Sequence, residues 1–339
     1  MKQSEASLQS LLFDDVPAVE KTAVQPALPS SEWLELAHAL NERWQGRLHL
    51  GTSSWNFTGW AGLVWAQAYP EARLSREGLP AYAAHPLLRT VSLDRAFYRP
   101  LNAAGYAALG AQVPAHFRFV VKAAALVSDA VQRDGGGRAE RSNPNFLDPG
   151  LALEQCLRPA VQGLGDKLGV LVFQLSPLPP AWLHDPLRLE QQLERLWQAL
   201  LPELPADSRL ALELRDPELL QPWLAAHLKA FGVRYCVGLH DRMPVIDRQL
   251  PMLRATWPGD LVCRWNLQLG QSYAGAKDRW APFDKLVAPD LPTRQGLVKV
   301  MAGTLSAGHS VYVTVNNKAE GCAPCSVLEL ARALAALPA

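Results

Sequence analysis

From about residue 47 onward, short apolar runs alternate along the chain with longer stretches of helical periodicity. The apolar runs are rich in Val, Leu, Phe and Tyr and have the length of buried strands. We predict eight strands from them: Leu48–Thr52, Thr90–Asp94, Phe117–Lys122, Val170–Gln174, Leu210–Glu213, Tyr235–His240, Leu261–Trp265 and Val311–Asn316.

Helical patterns lie between most of these runs. We predict helices over Glu154–Leu164, Leu187–Leu200, Leu219–Phe231, Leu297–Ala307 and Ser326–Leu337. Eight strands that alternate with helices favour a parallel sheet closed into a (β/α)8, TIM-like barrel. An open doubly wound sheet is the alternative, but it usually has a glycine-rich phosphate loop after its first strand. The segment Gly51-Thr52-Ser53-Ser54 is not such a loop.

The first 30 residues are polar, contain three prolines and show little periodicity. We predict residues 1–30 as a flexible tail. Ser30 and Ser31, followed by Glu32 and Trp33, are typical of a helix start, and this helix should run to about Arg43. Residues 31–339 then form a single barrel domain that includes this leading helix.

Two segments between predicted elements are longer than ordinary connections. They are Ser128–Pro149, with Gly135-Gly136-Gly137, and Leu267–Pro292, with Gly270 and Gly275. Long loops on a barrel often act as lids or binding segments, so we predict loops of that kind here.

Composition excludes several classes of partner. Among 339 residues, 33 basic side chains balance 32 acidic ones, which gives no support for bulk binding of nucleic acid or a membrane surface. No apolar run reaches the roughly 20 residues of a transmembrane helix. Met1–Phe13 lacks the pattern of a signal peptide, so we expect a cytoplasmic protein. No cofactor motif is present, and we expect no cofactor.

The predicted strand ends are polar in nearly every case. In a closed barrel these ends meet at one mouth, where chemistry collects. Such charges can simply be solvated, and Lys122 or Arg264 could pair structurally with Glu213. A desolvated cluster with three cations nevertheless favours a functional site. The residues that we expect there are Asp94, Lys122, Gln174, Glu213, Arg215, Arg264 and Asn316, with Trp55 and Tyr98 beside them.

These residue types suit an enzyme that acts on a small anionic or polyhydroxylated molecule, either a hydrolase or a lyase. Arg215 and Arg264 would clamp a carboxylate or phosphate. Glu213 would be the general base or nucleophile, with Lys122 tuning its pKa. Supporting roles fall to the others: Asn316 and Gln174 orient polar groups, while Trp55, Trp60 and Tyr98 stack on a ring.

Two variants of this enzyme hypothesis stay open. A glycosidase needs a second carboxylate near Glu213, for which Asp94 and Asp241 are candidates. A divalent metal could use Asp94, Glu213, His240 and Asp241, but the nearby cations compete for the same carboxylates. We therefore expect no metal.

The strand ends also carry a pattern that resembles the YecE-like family, catalogued as domain of unknown function 72. The matching pieces include Gly-Thr-Ser-Ser-Trp at 51–55, Phe-Tyr-Arg at 97–99, Lys122-Ala123, Glu-Leu-Arg at 213–215, Arg264 and Asn316-Asn317. The resemblance covers about residues 47–337. It implies a closed barrel and no established activity.

This chain departs from the family pattern at three positions. Ser92 stands where members usually have a glutamate, Asn266 where they usually have a histidine, and Asp216 at another histidine-like position. If the family acts through those residues, this protein is altered or inactive.

A second class of function is a non-enzymatic binding protein recruited to a partner. Gln9-Ser10-Leu11-Leu12-Phe13 resembles the bacterial sliding-clamp binding pentapeptide, with Gln9, Leu12 and Phe13 at matching positions and Ser10 in place of a leucine. A disordered tail is a suitable setting for such a short docking peptide.

A third hypothesis is redox chemistry. The five cysteines argue against a disulfide framework, because their number is odd and no signal peptide is recognised. Cys322-Ala323-Pro324-Cys325 has disulfide spacing just before a predicted helix, where a thiolate is stabilised. It lacks a thioredoxin-like context, and no second Cys-x-x-Cys completes a zinc site.

Overall fold

All eight predicted strands are present in the computed structural model, which describes residues 23–134 and 138–338. Each begins and ends within two residues of its predicted bounds. The strands are β1 Leu48–Thr52, β2 Thr90–Leu93, β3 Arg118–Lys122, β4 Val131–Arg133, β5 Ala139–Ser142, β6 Leu168–Gln174, β7 Arg209–Glu213, β8 Arg234–Leu239, β9 Leu261–Trp265 and β10 Val311–Val315. All except β4 and β5 pair in parallel and close a barrel in the order β1-β2-β3-β6-β7-β8-β9-β10.

The eight barrel strands are mostly apolar because both faces of the closed sheet are buried. Every residue of β1, β6 and β10 is buried. Small and branched side chains fill the barrel interior: Val120, Val170, Val172, Ala211, Cys236 and Val262, together with Tyr312. A larger apolar layer packs between the strands and the surrounding helices. This is the two-sided burial expected of a closed parallel sheet.

Helices cover the outside of the barrel. In the described residues the α-helices span Ser31–Trp44, Glu71–Glu77, Leu79–Ala83, Arg95–Tyr98, Ala103–Gly110, Ala125–Ser128, Pro149–Ala152, Arg158–Leu164, Pro180–Leu183, Pro186–Leu200, Pro222–Phe231, Ile246–Ala255, Tyr273–Trp280, Leu291–Ser306 and Ala323–Ala335. A π-helical segment, Leu153–Leu157, joins two of them. None of these helices combines the length and apolar character needed to cross a membrane.

The leading helix begins where the sequence predicts. The Ser30 hydroxyl accepts a hydrogen bond from the Trp33 backbone N–H at 3.4 Å, which caps the first turn of Ser31–Trp44. Trp33 and Trp44 are buried, so the helix forms part of the barrel domain.

The predicted flexible tail is wrong for residues 23–30. Val24 is buried, the Gln25 backbone N–H donates to the Tyr69 hydroxyl at 3.1 Å, and the Ala27 N–H donates to the Val64 carbonyl at 2.9 Å. A single apolar residue and paired backbone groups hold this segment, and neither produces a periodic pattern in the sequence. The pentapeptide with Gln9, Leu12 and Phe13 lies outside the described residues.

The two segments predicted as long loops contain regular structure. In Ser128–Pro149, β4 and β5 form an antiparallel hairpin, and Leu267–Pro292 includes the helix Tyr273–Trp280. The hairpin strands are exposed or half-buried and mostly polar, so they lack the alternation that reveals a strand. The helix is short and capped by Ser272.

Substitutions at two glycines should change the stability of the protein in opposite directions. A Cβ added to Gly51 in β1 would lie 1.8 Å from the Thr90 carbonyl oxygen of β2, whereas one added to Gly303, within Leu291–Ser306, meets nothing within 4 Å. We expect Gly51→Ala to destabilise the protein by about 1–3 kcal/mol through overpacking. Gly303→Ala should stabilise it by about 0.4–1 kcal/mol. Urea denaturation of both variants checks this, and equal midpoints would contradict the described strand contact.

Candidate functional site

Four barrel strands bring the predicted polar residues to one mouth. Lys122, Gln174 and Glu213 are the last residues of β3, β6 and β7, and Arg264 is the penultimate residue of β9. Arg215 follows two residues after β7. All five side chains are buried, so their charges interact in a desolvated setting.

Glu213 lies at the centre of this cluster and has no exposed surface. Its Oε2 is 2.5 Å from Nη1 of Arg264, and its Oε1 is 2.5 Å from Nη1 of Arg215. The Asn266 side-chain amide also donates to Oε1 at 3.3 Å. The pairing of Arg264 with Glu213 that the sequence suggested is therefore present, and both carboxylate oxygens are occupied.

The two arginines decide the protonation state of Glu213. Burial acts to raise its pKa, but Arg215 and Arg264 outweigh burial and hold the pKa at about 2. A carboxylate of that pKa is a weak proton acceptor at neutral pH. The geometry thus favours Glu213 as the group that positions both guanidinium groups, and it does not favour the predicted role as general base or nucleophile.

The remaining faces of the arginines are also engaged. Arg264 Nη2 donates to Oδ1 of Asp94 at 2.6 Å, and the Gln174 side-chain oxygen accepts from Arg215 at 2.9 Å and from Arg264 at 3.4 Å. The Ser92 hydroxyl donates a hydrogen bond to Oδ1 of Asp94 at 2.6 Å. The bidentate clamp expected of Arg215 and Arg264 is therefore occupied by the protein's own carboxylates.

Lys122 differs from the other charged groups of the mouth. Its Nζ lies 3.5 Å from the centroid of the Phe97 ring, and it makes no hydrogen bond or contact ion pair with any described residue. Burial first, then the positive charge of Arg264, lowers its pKa to about 7, although Asp94 and Glu213 act in the opposite direction. A substantial fraction of Lys122 is then a neutral amine at neutral pH.

Charge counting explains this result. Asp94 and Glu213 supply two carboxylates, and Arg215 and Arg264 supply two guanidinium groups that pair with them. Lys122 is a third cation without a counter-charge of its own. Releasing its proton is the least costly way to balance a buried cluster, because lysine gives up its proton far more readily than arginine.

The predicted aromatic residues occupy different positions. Trp55 is buried, and its Nε1 donates to the Leu74 carbonyl at 3.1 Å, but its side chain also lines a cleft beside Asp94. Trp60 has no exposed surface, so its predicted stacking on a ligand ring is wrong. Its side chain packs in the apolar core. Tyr98 is 82% exposed and stands edge-on to Phe97 at the rim.

Asn316 connects the first and last barrel strands. Its side-chain N–H donates to the Ser53 hydroxyl at 2.7 Å, and its side-chain oxygen accepts from the Lys318 backbone N–H at 3.0 Å. This geometry holds the turn after β10 in place, because Asn316 links the Ser53 hydroxyl to the Lys318 backbone.

Two residues near the strand ends, to which the sequence analysis gave no role in the site, belong to the mouth or its rim. Phe97 is the ring beneath Lys122. Lys318 is a second buried lysine, with Nζ 4.0 Å from the Tyr273 ring centroid, and burial followed by Lys277 lowers its pKa to about 8. Their positions in the sequence could have indicated this, because Phe97 follows closely after β2 and Lys318 closely after β10.

The glycosidase and metal variants find little support in this geometry. Asp94 and Glu213 are both ion-paired with Arg264, and His240 pairs with Asp241. Burial, followed by Arg215, lowers the His240 pKa to about 4. The described parts of the chain hold no group of three or more His, Cys, Asp or Glu side chains suited to a metal ion.

Comparisons with known proteins agree with the architecture. A family model described as "Protein of unknown function DUF72" matches residues 49–338. A solved structure of a DUF72 family protein from Enterococcus faecalis V583 is similar at 19% identity and a TM-score of 0.56, covering 86% of this chain and 97% of that one. Another, from Thermotoga maritima MSB8, is similar at 16% identity and a TM-score of 0.52, covering 84% and 98%. None of the curated proteins matches.

Proposed function

The chain belongs to the DUF72 family of unknown function, and from that premise we propose that its barrel mouth is the active site of a lyase in which the Lys122 amine attacks the carbonyl group of a small anionic substrate. One observation carries the proposal: Lys122 is a buried amine without a hydrogen-bonding partner among the described residues. The two arginines beside it are already paired with the Glu213 carboxylate.

A desolvated lysine near other cations is the usual form of an amine nucleophile. The neutral Lys122 nitrogen would bond to the carbonyl carbon, while both of its protons leave with the carbonyl oxygen as water. A proton from water then converts the imine into an iminium cation. When a bond to the carbon next to the iminium carbon breaks, its electron pair moves into the iminium to give an enamine, and the other fragment leaves without that pair. Protonation of the enamine and hydrolysis by water then release the product and return the Lys122 amine. The Phe97 ring, 3.5 Å from Nζ, supports the positive charge of the iminium.

The carboxylates of the mouth favour a lyase over a hydrolase. A hydrolase of the two-carboxylate type needs one carboxyl group that carries or accepts a proton. Arg215 and Arg264 hold the Glu213 pKa at about 2, and the Asp94 carboxylate forms an ion pair with Arg264. Both carboxylates are thus engaged in ion pairs, whereas the Lys122 amine has no hydrogen-bonding partner among the described residues.

The charge balance supports an anionic substrate. Once the imine on Lys122 is protonated, the five charged groups carry one unpaired positive charge, and a carboxylate or phosphate of the substrate would compensate it. Tyr98 at the rim is available to contact the rest of the molecule.

The pH at which Lys122 becomes reactive tests the proposal. Because its pKa is lowered to about 7, Lys122 should react with acetic anhydride along a profile whose midpoint is near pH 7. Peptide mapping by mass spectrometry reads the reaction at Lys122, with the exposed Lys299 as the reference in the same sample. A Lys122 profile that still rises above pH 9, as expected of a lysine amine in water, would refute a neutral nucleophile at neutral pH.

A further inference from the structure

A pair of thiols lies outside the mouth chemistry, at the start of the last helix. Cys322 is the residue that precedes the helix Ala323–Ala335, and Cys325 lies within its first turn. The preceding turn is held firmly: the Asn317 side-chain oxygen accepts from the Ala323 N–H at 2.8 Å and from Trp60 Nε1 at 3.2 Å. The Cys322 backbone is therefore fixed.

The two sulfur atoms are in contact. Cys322 Sγ donates a hydrogen bond to Cys325 Sγ across 2.9 Å, which is about 1 Å longer than a disulfide bond. Cys322 has no exposed surface, whereas Cys325 is half-buried. Cys325 is therefore the partly exposed residue of the pair, and Cys322 is the fully buried one.

The surroundings distinguish the two thiols further. The hydrogen bond from Cys322 lowers the pKa of Cys325, although burial and the acidic side chains Glu329 and Asp284 oppose that shift. The same hydrogen bond, followed by burial, raises the pKa of Cys322. The positive end of the helix dipole adds to the stabilisation of a thiolate at Cys325.

The remaining cysteines of the chain lack this arrangement. Cys156, Cys236 and Cys263 are buried and free. Burial raises the pKa of Cys156 to about 11 and also raises the pKa of Cys236 and Cys263. Contact with a second thiol and access to solvent come together at Cys325.

We propose that Cys322 and Cys325 form a dithiol–disulfide couple that exchanges with small disulfides, with Cys325 as the attacking thiol and Cys322 as the resolving thiol. This second activity is independent of the lyase assigned to the mouth.

The exchange balances in two steps. The Cys325 thiolate attacks one sulfur of a small disulfide, forms a mixed disulfide and releases the first thiolate. The Cys322 sulfur then loses its proton, attacks the Cys325 sulfur and releases the second thiolate. The protein loses two protons and two electrons, and the small disulfide is reduced to two thiols.

Oxidised glutathione is the probe that tests this couple. The full-length reduced protein is incubated with it, quenched in acid, denatured and alkylated, and the alkylated thiols are counted by mass spectrometry. We expect the count to fall from five to three, with a Cys322–Cys325 disulfide in the peptide map. The variant Cys322→Ser should stop at a glutathione adduct on Cys325, and Cys156→Ser should still form the disulfide.

Wild-type protein that retains five alkylated thiols would overturn the proposal, because that measurement needs no variant to fold. Glutathione found on Cys156, Cys236 or Cys263 as readily as on Cys325 in the Cys322→Ser protein would also overturn it. The order of attack would be overturned if Cys325→Ser, instead of Cys322→Ser, accumulated the adduct.

Discussion

Replacing Glu213 by alanine is expected to lower the free energy of unfolding by about 3–5 kcal/mol. The change removes the carboxylate that pairs with Nη1 of both Arg215 and Arg264 and leaves the two guanidinium groups buried with reduced compensation. Urea denaturation at neutral pH measures the loss. Glu32→Ala is the matched control, because Glu32 pairs with Arg332 at the surface and its removal should change stability little.

The effect of Glu213 should depend on pH in a definite direction. Its folded-state pKa of about 2 lies below the ordinary value of 4.5, so its contribution is fully present above about pH 4.5. The contribution is lost as the pH falls from there through 2. The difference in stability between wild type and Glu213→Ala should therefore shrink in acid. If Glu213→Ala lowered the free energy of unfolding at neutral pH as little as Glu32→Ala does, the ion pairs of Glu213 with Arg215 and Arg264 would be solvated and not buried.

Replacing Lys122 by methionine or arginine is expected to abolish covalent trapping of a carbonyl compound at the mouth. Methionine has no amine, and the arginine guanidinium stays protonated and does not form an imine. Lys122→Met should still fold, because it removes a buried cation that has no hydrogen-bonding partner among the described residues. Lys299→Met, on the exposed face of Leu291–Ser306, is the control that should trap normally.

Much of the fold could be predicted because barrel strands are apolar on both faces and therefore appear as continuous runs. The strand ends then identified Lys122, Gln174, Glu213 and Arg264 as neighbours, since parallel strands of a closed sheet present their carboxyl ends together. Elements held mainly by backbone pairing or by short polar strands, such as residues 23–30 and the β4–β5 hairpin, left no such pattern.

The chemistry within the mouth could not be predicted to the same depth. The sequence places Glu213 near cations, but it does not reveal that Arg215 and Arg264 take one oxygen each. That detail changes the roles that we propose: it makes Glu213 a weak base, and we therefore propose Lys122 as the reactive group. Trp60 illustrates the same limit: its position suggested a pocket wall, but its ring is in the core.

Reductive trapping on Lys122 tests the central claim most directly. The protein is incubated with pyruvate, an anionic ketone, and reduced with borohydride, which fixes any imine as a stable secondary amine that mass spectrometry can locate. We predict one adduct per chain, on Lys122, at least about tenfold above the labelling with acetone, and none in Lys122→Met. Equal labelling of wild type and Lys122→Met, spread over surface lysines, would contradict a catalytic lysine in this barrel mouth.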